Sequence, residues 1–337
     1  MKCRTRPFTR LSLETLEDRC TPAAVLTVGH NLWITGTDAA DIVTVSNTTV
    51  GTTPSILVTE KSGTGPIKTE TFAKSALPGG YVFFFGYAGE DRFTNRSSLL
   101  VIAHAGSGNN TFTSTTAGFF YGGGGHDIVD FRAASGTVVV NGGAGSETIY
   151  GGTGTNFLDG GAGPNIIVAN ANSITNYING GAGDDQLYGG GGLNIIHGGA
   201  GNDTIVGGTG KNYLFGEAGV DILVGNANSP LNYLDGGVGN DTLQAGGGIN
   251  YLYGGAGNDT LVGGSGTNYL FGGAGSDTLY GGAGFNVLNG GDDATTDYLI
   301  GGSGHNQFFR NTFFNGTTYI VRAVLSNYDA TRDTLYG

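Results

Sequence analysis

The 337-residue sequence has little cysteine and little proline. Its two cysteines, Cys3 and Cys20, lie close to the N-terminus, so the rest of the chain can form neither a disulfide framework nor a thiolate metal site. Seven prolines accompany 67 glycines, and no Gly-X-Y triplet runs through the chain, which excludes a collagen-like helix. No apolar run approaches the roughly 20 residues that a membrane-spanning helix needs, and we therefore predict no membrane span.

Basic residues are almost absent from most of the chain. Residues 122–309 contain 16 acidic side chains against two basic ones, Arg132 and Lys211. A surface of this charge repels nucleic acid and attracts divalent cations, so we expect no nucleic-acid partner. Because 38% of all residues are hydrophobic, a folded protein is expected rather than a disordered glycine-rich linker.

Catalytic motifs are also lacking. The five histidines are scattered, no HExxH motif occurs, and the GxGxxG-like strings do not open a helix as a dinucleotide site requires. We therefore predict that the chain is not an enzyme.

The chain consists largely of a nine-residue repeat. Successive units read GGAGDDQLY, GGGGLNIIH, GGAGNDTIV and GGTGKNYLF, and position 8 is apolar in every unit from Val129 to Phe308. This pattern predicts a six-residue turn followed by a three-residue strand whose middle side chain points inward. One unit cannot bury its single apolar side chain alone, so the units must stack into a solenoid. Four eleven-residue units, 131–141, 169–179, 225–235 and 290–300, keep position 8 apolar and are expected to preserve the register.

These units resemble the RTX, or haemolysin-type, calcium-binding repeat, whose family pattern is GGxGxDxUx. The resemblance implies that two nonapeptides form one turn of a flattened β-roll and that each calcium ion lies between stacked turns of the same side. We therefore predict an all-β, parallel β-roll of roughly ten coils over residues 122–309. Residues 25–121 are expected to form an irregular β N-terminal region that covers one end, or else a separate small sandwich. Residues 310–337 are expected to form a C-terminal cap, although TRDTLYG resembles another repeat, and end-to-end self-association is the alternative.

Position 6 differs between the two sides of the predicted roll. One side carries asparagine in most coils, and we expect these side chains to form a hydrogen-bonded amide ladder. The other side carries the acids, and we predict that these acids bind Ca²⁺, which prefers six to eight oxygen ligands. Asn165 should interrupt the acidic side, and Glu147 fits the turn less well because of its longer side chain. The predicted metal ligands are Asp127, Asp185, Asp203, Asp221, Asp241, Asp259, Asp277 and Asp297.

Electrostatics favours calcium over a purely structural role for these aspartates. At a strand spacing of about 4.8 Å, neighbouring carboxylates repel by roughly 1 to 3 kcal/mol, and interleaved cations reverse that effect. The alternative is that each Asp only caps a turn through backbone hydrogen bonds. In that case Asp and Asn should mix on both sides, whereas seven successive coils, from Asp185 to Asp297, keep them apart.

Position 7 of the asparagine side carries a row of tyrosines. Outward-facing rings one coil apart could stack on sugar rings or dock another protein, and the alternative is that they only stiffen the sheet. The predicted binding residues are Tyr213, Tyr233, Tyr251 and Tyr269.

Residues 1–24 form a basic, export-like leader without the apolar stretch of about 7 to 15 residues that an ordinary secretory signal has. The segment RLSLETLEDRCTPA, residues 10–23, resembles the N-terminal motif of planctomycete extracellular proteins. This resemblance implies export to the cell surface or beyond, and the alternative is a frayed basic tail.

The predicted function is calcium binding coupled to folding outside the cell, in a structural module of the cell surface or matrix. An adhesin that binds glycan or protein through the tyrosine row is the second possibility. A folding module for the export of a lost enzyme partner is the third.

Overall fold

The computed structural model describes residues 24–336, except 292, 294, 310–311, 315–318, 322 and 327. Both cysteines and nearly all of the export-like leader lie outside the described residues.

The described residues form 34 β-strands and one 3-10 helix, Lys74–Ala76. The strands before the repeats are β1 (Ala24–Val28), β2 (Asn31–Thr35), β3 (Asp41–Val50), β4 (Thr53–Ser62), β5 (Lys68–Ala73), β6 (Tyr81–Phe85), β7 (Arg92–Arg96), β8 (Leu100–Ser107) and β9 (Thr111–Ser114). The first repeat strands are β10 (Gly118–Gly125), β11 (Ile128–Asp130), β12 (Val138–Gly145), β13 (Thr148–Tyr150), β14 (Thr155–Ala162), β15 (Ile166–Val168), β16 (Thr175–Ala182), β17 (Gln186–Tyr188), β18 (Leu193–Ala200), β19 (Thr204–Val206) and β20 (Asn212–Ala218). The later repeat strands are β21 (Ile222–Val224), β22 (Leu231–Val238), β23 (Thr242–Gln244), β24 (Ile249–Ala256), β25 (Thr260–Val262), β26 (Thr267–Ala274), β27 (Thr278–Tyr280), β28 (Asn286–Asn289), β29 (Asp297–Ile300) and β30 (Asn306–Phe309). The last four are β31 (Thr312–Phe314), β32 (Tyr319–Val321), β33 (Ala323–Ser326) and β34 (Thr334–Tyr336).

Two facing sheets of 16 strands each build the molecule. The first sheet takes β1, β2, β6 and then every second strand up to β30 and β34. The second sheet takes β33 and the remaining strands up to β29, with β3, β4 and β5 at one end, and β31 and β32 form a separate antiparallel pair. Neighbouring repeat strands are parallel, as Leu187 beside Ile205 and Asn194 beside Asn212 show. The predicted all-β parallel β-roll is confirmed, and it has about 13 turns rather than ten because both sheets continue through residues 31–121.

The eleven-residue units keep the register, as predicted. Across them the paired residues lie twenty positions apart, as in Val129 with Ile149 and Leu279 with Leu299. The two extra residues therefore widen a turn and leave the strand stack intact.

The end of the roll that precedes the repeats combines parallel and antiparallel pairing. Strands β6, β8 and β10 stack in parallel on the repeats, whereas β3, β4 and β5 form an antiparallel meander. No helix among the described residues has both the length and the apolar character to cross a membrane.

The core is a single row of apolar side chains between the two sheets. Position-8 residues such as Leu187, Ile196 and Leu214 have no exposed surface, and each repeat strand from β11 to β30 contributes one position-8 residue. Phenylalanines, including Phe93 and Phe112, take over this row towards the N-terminus. The prediction for position 8 is confirmed.

Strand length differs between the sheets, and here the sequence-based prediction was only half correct. Within the repeats, most strands of the second sheet have three residues, as in β17, but most of those of the first sheet have eight, as in β16. In the first sheet the pairing continues through the Gly-Gly-Ala of the next unit, so that Gly181 lies beside Gly199. Gly181 and Gly183 adopt φ values of 109° and 119°, which other residues rarely tolerate.

Candidate metal centre

The position-6 carboxylates lie in one column along an edge of the roll, each directly before a three-residue strand of the second sheet, except that Asp297 is the first residue of the four-residue strand β29. Asp185, for example, precedes β17, whose first residue Gln186 donates its N–H to Asn165 O at 2.8 Å. All eight predicted ligands have at most 1% of their surface exposed. Seven of them, from Asp185 to Asp297, occupy consecutive coils, and Glu147 and Asn165 separate Asp127 from that run. We call these eight aspartates the Asp column.

One carboxylate oxygen of each aspartate holds the neighbouring coil. The Asp185 N–H donates to Asp203 Oδ1 at 2.8 Å, and the Asp241 N–H donates to Asp259 Oδ1 at 2.8 Å. The same bond links each successive pair as far as Asp277, whose N–H donates to Asp297 Oδ1 at 3.0 Å. These bonds fix the side chains along the edge.

The second oxygen lacks a donor. In the described part of the chain, Oδ2 is buried and accepts no hydrogen bond in Asp185, Asp203, Asp221, Asp241, Asp259 and Asp277. Each of these oxygens lies against the glycine at position 1 of its own unit. A Cβ built on Gly180 would collide with Asp185 Oδ2 and would lie 2.6 Å from Gly198 O, so two oxygens face the same cradle. A buried carboxylate oxygen without a hydrogen-bond donor destabilises the folded state unless a proton or a cation binds it.

Asn165 shows that this cradle favours a hydrogen-bond donor. Its Oδ1 accepts the Glu147 N–H at 2.8 Å, as an aspartate would, but its Nδ2 donates to Gly163 O at 2.8 Å and to Gly180 O at 3.2 Å. The amide N–H thus donates a hydrogen bond to the carbonyl oxygen. An ionised aspartate at this place has no donor, so its oxygen and the carbonyl oxygen would repel each other. Where the residue is Asp, a cation coordinated by oxygen atoms can take the place of that N–H, and such a donor set suits Ca²⁺.

Burial raises the pKa values of these carboxyl groups. Desolvation raises the pKa of Asp185 to about 6 and that of Asp221 to about 7, and the carboxylates of neighbouring coils add to the effect. The pKa of Asp259 rises to about 6 and that of Asp277 to about 7 for the same reasons. The charged column is thus destabilised near neutral pH unless positive charge compensates it.

Backbone oxygens must supply most ligands of any ion in this column. Among the residues that the structure covers, no three His, Cys, Asp or Glu side chains come together as a metal-binding group. A Gly-rich turn with one or two carboxylates is consistent with calcium, which accepts backbone carbonyl ligands in a flexible cage.

The column also extends beyond the predicted ligands. The Asp41 N–H donates to Asp91 Oδ1 at 2.8 Å, and the chain of bonds continues through Asn110 to Asp127 Oδ1. Asp91 Oδ2 is buried without a donor in the described chain, and desolvation raises the Asp91 pKa to about 7. Asp41 and Asp91 were not among the ligands predicted from the sequence. The two lie 50 residues apart, so the nine-residue period could not align them.

The opposite edge needs no ion. Asn194 Nδ2 donates to Asn212 Oδ1 at 2.9 Å, Asn250 Nδ2 donates to Asn268 Oδ1 at 2.8 Å, and the same bond joins the other neighbours. Turn glycines add further hydrogen bonds to these asparagines, since the Gly190 N–H donates to Asn194 Oδ1 at 2.8 Å. The predicted amide ladder is confirmed. Its members are Asn156, Asn176, Asn194, Asn212, Asn232, Asn250, Asn268, Asn286 and Asn306.

The tyrosines predicted to bind a partner lie on the outer face of the first sheet. Tyr251 and Tyr269 stack with centroids 4.9 Å apart, and Tyr213 and Tyr233 are 6.1 Å apart. All four are half-buried by their neighbours. A binding role for them stays a prediction.

Comparison with known proteins agrees with this geometry. A family model described as RTX calcium-binding nonapeptide repeat (4 copies) matches residues 141–173, 170–205, 197–229, 235–270 and 271–308. Residues 141–308 therefore consist largely of RTX calcium-binding nonapeptide repeats, and Ca²⁺ is the ion that such repeats bind. No curated protein matches the chain.

Proposed function

We propose that this chain is an exported calcium-binding β-roll that folds fully only when calcium fills the Asp column and that serves as a structural module of the cell surface or matrix. The observation that carries the proposal is the row of buried Oδ2 atoms without donors, from Asp185 to Asp277. In this proposal the chain has no catalytic activity of its own.

The proposed ligands are the eight predicted aspartates. The seven from Asp185 to Asp297 would enclose up to six inter-coil sites. Asp127 would bind more weakly, because its neighbours in the column are Glu147 on one side and Asn110 on the other.

Coupling of folding to calcium follows from the energetics of the column. A carboxyl group whose pKa rises from 3.8 to about 6, as in Asp259, costs about 3 kcal/mol when ionised near neutral pH. Several such groups together match the whole stability of an ordinary domain, about 5 to 15 kcal/mol. Calcium binding would offset this cost and make binding free energy part of folding free energy.

The extracellular location is supported by indirect observations. Modest-affinity calcium sites, with dissociation constants of about 10⁻⁴ to 10⁻³ M, fill outside cells. The leader's likeness to an export motif points the same way. A stack of about 13 turns would be roughly 60 Å long at the strand spacing, which suits a rigid spacer.

Circular dichroism of the full chain, titrated with calcium and then with EGTA, tests this proposal. We expect chelation to remove most of the β signal and calcium to restore it. Calorimetry should count fewer ions for the Asp241→Asn, Asp259→Asn double variant than for the unaltered chain. Full β signal in EGTA with no bound metal would refute calcium-coupled folding, and an unchanged ion count in the double variant would refute the assignment to the Asp column.

Export and self-association are tested separately. Secretion of a reporter fused to residues 1–24 would support export, and retention in the cytosol would contradict it. Sedimentation with and without calcium would reveal end-to-end assembly through the terminal strands.

A further inference from the structure

The outer face of the first sheet carries two columns of side chains, at positions 7 and 9 of the asparagine-side units. The position-9 column is mainly aromatic. Phe85, His104 and Tyr121 stack in succession, and farther along His197 stacks on Phe215 with centroids 4.7 Å apart. Three coils between Tyr121 and His197 break this stack with the polar residues Asn141, Asp159 and Asn179.

The missing rings leave a groove of about 390 Å³, bounded by Tyr121 at one end and His197 at the other. Its side wall comes from the position-7 column, where Phe157 and Tyr177 stack with centroids 4.9 Å apart and planes 4° from parallel. Phe157 is 42% exposed and Tyr177 is 39% exposed, so these rings offer more surface than the half-buried row from Tyr213 to Tyr269. The volume lies within the range of ligand pockets, about 300 to 1,000 Å³.

The floor of the groove is a short hydrogen-bonded row. Asn179 Nδ2 donates to Asp159 Oδ1 at 3.0 Å, and Asn141 Nδ2 donates to Asp159 Oδ2 at 3.5 Å. Each amide has a second N–H and a carbonyl oxygen, and each carboxylate oxygen has more than one lone pair. The floor therefore offers alternating donors and acceptors along the axis of the roll.

We propose that this groove binds an uncharged oligosaccharide that runs along the axis of the roll. Exposed aromatic faces pack against the C–H faces of sugar rings, and a row of Asp and Asn side chains pairs with neighbouring hydroxyl groups. No lysine or arginine lines the groove, and Asp159 at its centre disfavours acidic sugars.

The repeat of the roll matches such a ligand. Tyr121 and His197 are separated by four strand spacings, roughly 19 Å in total. One coil advances about as far as one hexose does in an extended β-linked polysaccharide, so successive coils can contact successive sugar units. The groove lies on the outer face, whereas the carboxylates of the Asp column are buried, and the inference therefore does not rest on calcium-coupled folding.

Calorimetry of the calcium-loaded full chain tests this inference. The probes are cellohexaose, xylohexaose and mannohexaose as neutral oligosaccharides and a heparin hexasaccharide as the acidic one. We expect at least one neutral probe to bind and the acidic probe not to bind. Phe157→Ala should weaken that binding about tenfold, which corresponds to the loss of one aromatic contact. Asp159→Ala should weaken it by a similar factor or more.

The matched control is Phe271→Ala, which removes a ring from the position-9 column of the same face, outside the groove. Its binding should equal that of the unaltered chain, and circular dichroism should show that every variant is folded. Absence of binding to all neutral probes would overturn the inference. Preference for the heparin hexasaccharide, or an equal loss of binding in Phe271→Ala, would overturn it as well.

Discussion

Replacing one interior aspartate by asparagine should change stability in opposite directions with and without calcium. In Asp259→Asn the side-chain Oδ1 can still accept the Asp241 N–H. The new amide can donate to the carbonyls of Gly257 and Gly272, as Asn165 does to those of Gly163 and Gly180. The substitution therefore removes an oxygen without a donor and supplies a donor in its place.

The magnitude follows from burial. The pKa of Asp259 rises from 3.8 to about 6, so its charged form costs about 3 kcal/mol near pH 7. A new hydrogen bond adds about 1 kcal/mol. In EGTA the variant should thus be more stable than the unaltered chain by about 2 to 4 kcal/mol. In excess calcium it should be less stable, because an interior aspartate borders two inter-coil sites. Losing both ions, each at a hundredfold excess over its dissociation constant, forfeits about 5 kcal/mol, which exceeds the gain.

Urea unfolding followed by circular dichroism, in EGTA and in calcium, measures both values. Because calcium-free protein can be largely unfolded, an osmolyte present in all samples keeps the EGTA transition measurable. The control is Asp184→Asn, which removes the same charge from an exposed residue and can keep the bond from the Asn202 N–H, now 2.7 Å long. A variant less stable than the unaltered chain in EGTA would refute the reasoning, as would an Asp184→Asn variant with the same change of sign.

Three further predictions follow from the two edges of the roll. In EGTA, stability should be greatest below about pH 4, near the unfolded pKa of aspartate, and should fall as pH rises through about 7, because burial raises the folded pKa values of Asp221 and Asp277. A pH series of urea transitions checks this, and stability that rises with pH in EGTA would contradict it. Asn250→Asp should cost about 3 kcal/mol or more with or without calcium, because it removes the donor to Asn268 Oδ1 and buries a charge; recovery of full stability in calcium would show that this edge also binds ions. Gly254→Ala should cost about 1 to 3 kcal/mol and lower the calorimetric ion count, since its Cβ would occupy the cradle of Asp259 Oδ2; an unchanged count would place the ion elsewhere.

The nine-residue period carries most of the fold. It predicts the position-8 core, the two-sided register and the eleven-residue units, because each of these depends only on spacing along the chain. The eight-residue strands of the first sheet could not be predicted, since Gly-Gly-Ala has no side chains that favour a strand. Asp41 and Asp91 were missed because the β4–β5 meander lies between them and breaks the period.

The candidate sites, too, could be predicted only in part from the sequence. Segregation of Asp from Asn predicts which edge attracts cations, but only the structure shows that Oδ1 is already used and Oδ2 is not. The groove at Asp159 lies where one column has polar residues in place of aromatic ones. These positions are neighbours only in the folded chain, where strands 18 or 20 residues apart lie side by side.

The two edges together explain how one repeat can give a roll that is both stable and dependent on calcium. Each amide from Asn156 to Asn286 donates to the amide of the next coil, and several also accept from a glycine N–H, so protein atoms supply hydrogen-bond partners along this edge. Each aspartate from Asp185 to Asp277 satisfies only half of its carboxylate. The Asn ladder can therefore hold successive coils in register before any ion binds. Calcium is then needed only to compensate the buried carboxylate oxygens of the opposite edge. Converting the whole Asp column to asparagine should accordingly give a roll that folds without calcium, and converting the Asn ladder to aspartate should give one that cannot begin to fold without it.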